Sequence, residues 1–154
     1  MSFLGKFRMT GGFKQLVRLV ELSEPAKQDS LIQMVGAEDP GWAHLLKLKI
    51  LTPQRIFSWP SDILMKVFSP FSPEVLAAFY INCPEDLRGH IAGALTSRLF
   101  HEVQVIVDRR PPKEEEYLAA RMKLLQTVRE MEYLGMIDLA NFDPALKIDT
   151  KLVS

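Results

Sequence analysis

The sequence predicts an all-α protein, an armadillo-like right-handed stack of short helices with one long C-terminal helix. Three observations carry this. Apolar residues recur at three- and four-residue steps along most of the chain, the period of a helix with one buried face. Proline recurs at the head of these segments, where its missing N–H costs no hydrogen bond. Strand signals are nearly absent, because the one β-branched run, Val103 to Val107, sits inside a helical pattern. Short helices with tight connections pack as helix pairs, although no strict internal repeat is present.

Residues 1–12 read as a flexible lead ending at Gly11-Gly12. Phe13, Leu16, Val17, Leu19 and Val20 then make a first amphipathic helix. Ser23 suits the N-cap of a second, with Pro25 in its first turn, Leu31, Ile32 and Val35 on its buried side, and Gly36 at its end. Asp39 caps a third that starts at Pro40 and carries Trp42, Leu45, Leu46 and Leu48. The punctuation continues at Thr52-Pro53, Pro60-Ser61-Asp62 and Ser72-Pro73-Glu74, opening helices through Phe57, Phe68 and Tyr80.

Pro84 to about Ala94 reads as the next helix, with Leu87, Ile91 and Leu95 at helical spacing. Another runs from Thr96 or Ser97, either a good N-cap, to about Arg109. Leu99, Phe100, Val103, Ile106 and Val107 give it a wide apolar face. Arg98, Glu102, Val105 and Arg109 fall on a different face. The longest helix spans about Glu114 to Leu134, with Leu118, Met122, Leu125, Val128 and Met131 as inner stripe, three glutamates at its positive end and Gly135 as C′ residue. The domain therefore spans 13–137, and 138–154 is a tail whose Phe142, Leu146 and Ile148 are candidates for docking on the core. Trp42 and Trp59 are expected in the core as well.

Composition narrows the function. With 154 residues and 47% hydrophobic content the chain can bury a real core. Lys plus Arg and Asp plus Glu both number 19, which argues against a general nucleic-acid binder. No run approaches a membrane span, the N-terminus lacks a signal-peptide h-region, and one cysteine allows no internal disulfide, so a cytoplasmic protein is expected.

Chemistry is hard to find. His44, His90 and His101 do not pair at ligand spacing, and there is no phosphate-loop glycine pattern, nucleophile elbow or cysteine pair. Cys83 precedes a helix start, but a lone cysteine there is far more often a small buried hydrophobe than a nucleophile. No catalytic residue, cofactor or metal is expected.

Several motifs fall in a telling order: Gly11-Gly12 before a helix, Glu38-Asp39-Pro40 before another, Pro84-Glu85-Asp86-Leu87-Arg88, the turn Ala94-Leu95-Thr96-Ser97-Arg98, and Met131-Glu132-Tyr133-Leu134-Gly135-Met136-Ile137 closing the long helix. In that order, over about residues 11–140, the chain resembles the flagellar motor-switch rotor protein family, FliG, from its inter-domain linker into its C-terminal domain. Residues 13–50 would be linker-type helices and 51–137 would resemble the C-terminal domain. The resemblance implies a non-enzymatic all-α protein of the rotor ring, cytoplasmic and peripheral at the inner membrane in the flagellar basal body. Its charged helix would meet the stator's cytoplasmic loop or switch-ring subunits. Self-association in a ring is a further expectation, with no nucleic acid and no direct membrane insertion.

The departures are as informative. The charged helix aligns with Thr96 to Arg109 and keeps its first functional arginine as Arg98, but the family's acidic pair falls on Val105 and Ile106. A family lysine falls near Ile81, a later arginine near Glu114, and the Met-Phe-x-Phe segment becomes Ile50-Leu51-Thr52-Pro53. The candidate protein-binding residues are Arg98, Glu102, Val105, Ile106, Asp108 and Arg109. Their plainest alternative is a solvated helix face with an internal Arg98–Glu102 pair. Two readings follow: a rotor component using this face, or a divergent interaction module that has lost the torque-generating charges.

Overall fold

The computed structural model describes residues 2–148. Among the described residues nine α-helices follow in order: α1 (Gly12–Glu21), α2 (Pro25–Glu38), α3 (Pro40–Lys49), α4 (Pro53–Phe57), α5 (Ser61–Phe68), α6 (Pro73–Asn82), α7 (Arg88–Gly93), α8 (Ser97–Arg109) and α9 (Glu114–Tyr133). No strand occurs among the described residues, in line with the all-α prediction. The chain forms two compact units: residues 2–51 together with 139–148, and residues 52–138.

The helix starts follow local chemistry. Asp39 Oδ1 accepts the Trp42 N–H at 3.1 Å, and Thr52, Ser72 and Thr96 hydroxyls accept the N–H groups of Arg55, Val75 and Leu99. Each satisfies an orphan donor of the first turn and is worth about 1 kcal/mol against alanine. Ser23 departs from expectation. Its hydroxyl donates back to the Leu19 carbonyl at 2.7 Å, and Glu24, with no side-chain cap bond, holds the N-cap of α2. Pro84 opens a 3-10 turn over Glu85–Leu87 before α7, in place of one continuous helix.

In the first unit α2 packs on α3 and α1 on α2. Gly36 does not end α2, which runs on to Glu38; a Cβ there would meet the Ala43 Cβ at 3.5 Å, an ordinary van der Waals contact. The segment read as a flexible lead carries a 3-10 turn at Gly5–Phe7 and buries Leu4 and Phe7. The reason lies in the glycines. Gly11 has φ +79°, and a Cβ on Gly12 would sit 1.9 Å from the Phe7 carbonyl oxygen. The pair therefore folds the chain tightly back on itself. Glu38 accepts the Leu4 N–H, and Arg8 pairs with Asp39 at 2.8 Å beneath a cation–π contact with Trp42. Trp42 is half-buried, edge-on to Phe13, and does not fill the core as expected. Of the tail, Leu139 and Leu146 are buried in this unit and Ile148 packs against its core.

The second unit is built around α6. Leu76, Ala77, Ala78 and Phe79 are consecutively buried because α8 and α9 both pack on this helix. A helix apolar all round is stable only with neighbours on several sides. Phe79 stands among Phe57, Phe68 and Phe71, with centroids 5.5–6.2 Å away. Trp59 is buried as predicted. The inner stripe of α9 differs from the predicted one: Leu125, Val128 and Met131 are buried, but Met122 is 43% exposed and Ala120, Arg121, Leu124 and Arg129 take inner positions. Gly135, at φ +75°, ends α9 as expected, with the Met136 N–H donating to the Met131 carbonyl at 2.9 Å.

Candidate functional site

Helix α8 presents the candidate residues. Thr96 sets its start and Val103 is its one fully buried side chain, facing α6. The predicted wide apolar face is therefore only partly covered: Leu99, Phe100, Ile106 and Val107 are half-buried. Phe100 rests edge-on to Tyr80 of α6, centroids 5.7 Å apart, and Arg88 lies 5.6 Å over the same Tyr80 ring. Arg88 also reaches the Ile81 carbonyl at the end of α6, while its Nε is buried without a partner. The sequence marks Tyr80 only as a helix position and Arg88 only as part of a motif, since nothing in their local pattern marks a contact made across helices.

On the other side of α8, Arg98, Asp108 and Arg109 are exposed and Glu102 and Val105 are half-buried. Arg98 Nε and Glu102 Oε1 are 3.6 Å apart, with the arginine side chain 92% exposed. A pair this exposed contributes at most a few tenths of a kcal/mol. Val105 lies between these charges in the helical order, 100° per residue placing positions 98, 102, 105 and 109 on one arc. The surface is thus a charged ridge with an aliphatic centre, suited to contact and holding no nucleophile.

The remaining candidates for chemistry are accounted for. His44, His90 and His101 are all exposed. Cys83 is buried, and burial pushes its thiol up to about 11 even though the Arg88 guanidinium pulls the other way. Burial likewise raises the Tyr117 hydroxyl. Among the described residues no group of three or more His, Cys, Asp or Glu side chains is placed to hold a metal ion, and no helix is long and apolar enough to cross a membrane.

The model of the FliG C-terminal domain matches residues 33–139, more than half of the chain and all of α8. The chain belongs to the FliG C-terminal domain family. Its fold is similar to that of full-length FliG from Aquifex aeolicus, with a TM-score of 0.50 and 18% identity over 80% of this chain. The matched part is 39% of that longer FliG chain. No curated protein matches. The FliG match begins within α2 and ends at Leu139, so α1 and residues 140–148 lie outside it while packing in the first unit.

Proposed function

We propose that this chain is a FliG-like rotor or switch component of the bacterial flagellar motor, acting without catalysis through protein–protein contact at the Arg98–Arg109 face of α8. The observation that carries this reading is the family match over residues 33–139, which contains α8 whole. The partner is the stator's cytoplasmic loop or a switch-ring subunit, met at the cytoplasmic face of the inner membrane. Arg98, Glu102, Val105, Ile106, Asp108 and Arg109 form the contact. As domain boundaries we propose 13–50 as linker-type helices and 51–137 as the C-terminal-domain-like part, flanked by a lead at 1–12 and a tail at 138–154.

One observation favours a second reading, a FliG-like scaffold that binds another protein and transmits no torque. Val105 and Ile106 stand where the resemblance puts an acidic pair, and Arg98 finds its acidic neighbour on its own helix. Charged helices steer each other through complementary fields, and losing two facing acids weakens that complementarity.

Affinity capture of the full chain from its native cell tests both readings, comparing wild type with Arg98→Glu and Val105→Asp. Recovery of stator or switch-ring proteins, reduced in either variant, supports the rotor reading. Unrelated partners, lost in the same variants, support the second. Unchanged partners in both variants, with helix content intact by circular dichroism, would remove the α8 face from either account. Binding that weakens with added salt marks an electrostatic contact, and salt-independent binding an apolar one centred on Val105.

A further inference from the structure

We propose that the first unit carries a binding surface for an anionic membrane, formed by the exposed side of α1 and the lead before it, which engages acidic lipid headgroups without crossing the bilayer. The proposal does not depend on the α8 contact. Residues 2–20 hold Lys6, Arg8, Lys14 and Arg18 and no Asp or Glu. The whole chain is neutral, with 19 basic and 19 acidic residues, so this is a local asymmetry and not a general basic character. Among the described residues the first exposed carboxylate along the chain is that of Glu24, beyond the end of α1.

The fold sharpens this asymmetry. Helix α1 buries Phe13, Leu16, Val17 and Val20, which leaves Lys14, Gln15, Arg18 and Leu19 exposed within one arc of about 140°. The carboxylates tied to α1 and the lead are engaged: Glu21 is buried and accepts the Leu51 N–H, Glu38 accepts the Leu4 N–H, and Asp39 pairs with Arg8. Lys14 and Arg18 have no acidic partner among the described residues. Lys6 is exposed as well, its Nζ 5.4 and 5.3 Å from the Phe3 and Phe7 ring centroids, on a short turn that packs against α1. The positive charge on this side of the unit is therefore left for a partner outside the chain.

Large apolar side chains stand among these cations, with Met9 56% and Leu19 43% exposed. Lysine and arginine hold their charged ends at the level of lipid headgroups while their stems and apolar neighbours reach the boundary with the acyl chains. That combination favours a lipid surface over an acidic protein, because protein interfaces are depleted in lysine. The contact is weak and reversible. Each Lys or Arg close to an anionic membrane strengthens binding about fivefold, and Lys6, Lys14 and Arg18 are the cations of this segment that Asp39 does not claim.

Flotation of the full chain with vesicles of phosphatidylglycerol and phosphatidylcholine in equal parts, against vesicles of phosphatidylcholine alone, tests this. Wild type should float with the anionic vesicles at millimolar lipid, should not float with the neutral ones, and should lose most of its binding as salt rises above physiological strength. Lys14→Gln/Arg18→Gln, with helix content unchanged by circular dichroism, should bind about 25-fold more weakly, while Lys14→Arg/Arg18→Lys binds like wild type. Met9→Ser/Leu19→Ser should weaken binding at every salt concentration. Wild type that ignores anionic vesicles would overturn the proposal, as would equal binding to neutral ones, or binding that Lys14→Gln/Arg18→Gln retains. Full-strength binding by Met9→Ser/Leu19→Ser would overturn it too, since the apolar side chains are what select a membrane over a soluble polyanion. Capture of an acidic protein through Lys14 and Arg18, without vesicle binding, would assign the face to that protein instead. None of these outcomes bears on the α8 contact, which partner capture tests separately.

Discussion

Glu21 offers the sharpest test of how the first unit is held together. It is the last residue of α1 and fully buried, and its Oε1 accepts the backbone N–H of Leu51 at 2.7 Å. Its own carbonyl accepts a bond from Gln28 Nε2 at 3.1 Å. Leu51 is also fully buried, so its N–H has no water to turn to if the carboxylate is removed. A buried donor left unpaired costs about 1–3 kcal/mol. Glu21→Ala adds the loss of packing around the truncated side chain, for a total of about 2–4 kcal/mol. Glu21→Gln keeps an oxygen at the same position and should cost about 1 kcal/mol.

Two readouts check this. Urea denaturation gives the change in stability, and hydrogen exchange at the Leu51 amide reports on the first unit even if the two units unfold separately. Strong protection of that amide in wild type, lost in Glu21→Ala and largely kept in Glu21→Gln, is the expected pattern. Glu21→Ala within about 0.5 kcal/mol of wild type, or with the Leu51 amide still protected, would refute the reasoning, since surface-like substitutions fall in that range.

Two further substitutions probe the lead segment and the buried thiol. Gly12→Ala should cost about 1–3 kcal/mol, because the new Cβ collides with the Phe7 backbone oxygen and forces Leu4 and Phe7 from the core; amide exchange over residues 4–12 should rise, and an unchanged exchange pattern would contradict the close approach. Cys83 should resist iodoacetamide at pH 8 in the folded protein and react on denaturation. Its raised pKa means the folded state keeps a proton that the unfolded state releases near the ordinary value of 9.0, so this contribution to stability is present below pH 9 and lost as pH rises through about 11. Denaturation midpoints measured across that interval should fall less steeply in Cys83→Ala, and equal slopes would mean that another group dominates.

The features legible in the sequence share a physical character: they are made within a few residues. Asp39, Thr52, Ser72 and Thr96 each reach an N–H three positions on, so cap and start are encoded together. The same holds for Gly135 after α9 and for proline at the head of α2, α3, α4 and α6. These local signals determined the all-α class and the position of α8. The Arg98–Glu102 pair was legible for the same reason, as one turn of helix separates the two side chains.

What only the tertiary structure decided depends on which faces meet. Gly36 looks like a stop signal, yet α2 continues through it to Glu38, and the extended backbone of Asp39 ends it. Gly11-Gly12 looks like a flexible joint, yet it folds the lead back over Phe7. Met122 and Ala120 both satisfy a helical stripe, and the direction from which α4, α5 and α6 approach α9 leaves the larger one in solvent. The half-burial of Val105, on which the character of the α8 face turns, is likewise set by neighbouring side chains and not by its spacing. The sequence alone determined most of the helices and the caps at Asp39, Thr52, Ser72 and Thr96, because those depend on bonds a turn apart. The return of residues 139–148 to the first unit, and the bonds from Leu51 to Glu21 and from Leu4 to Glu38, join positions about 30 or more residues apart, and no local pattern encodes such partners.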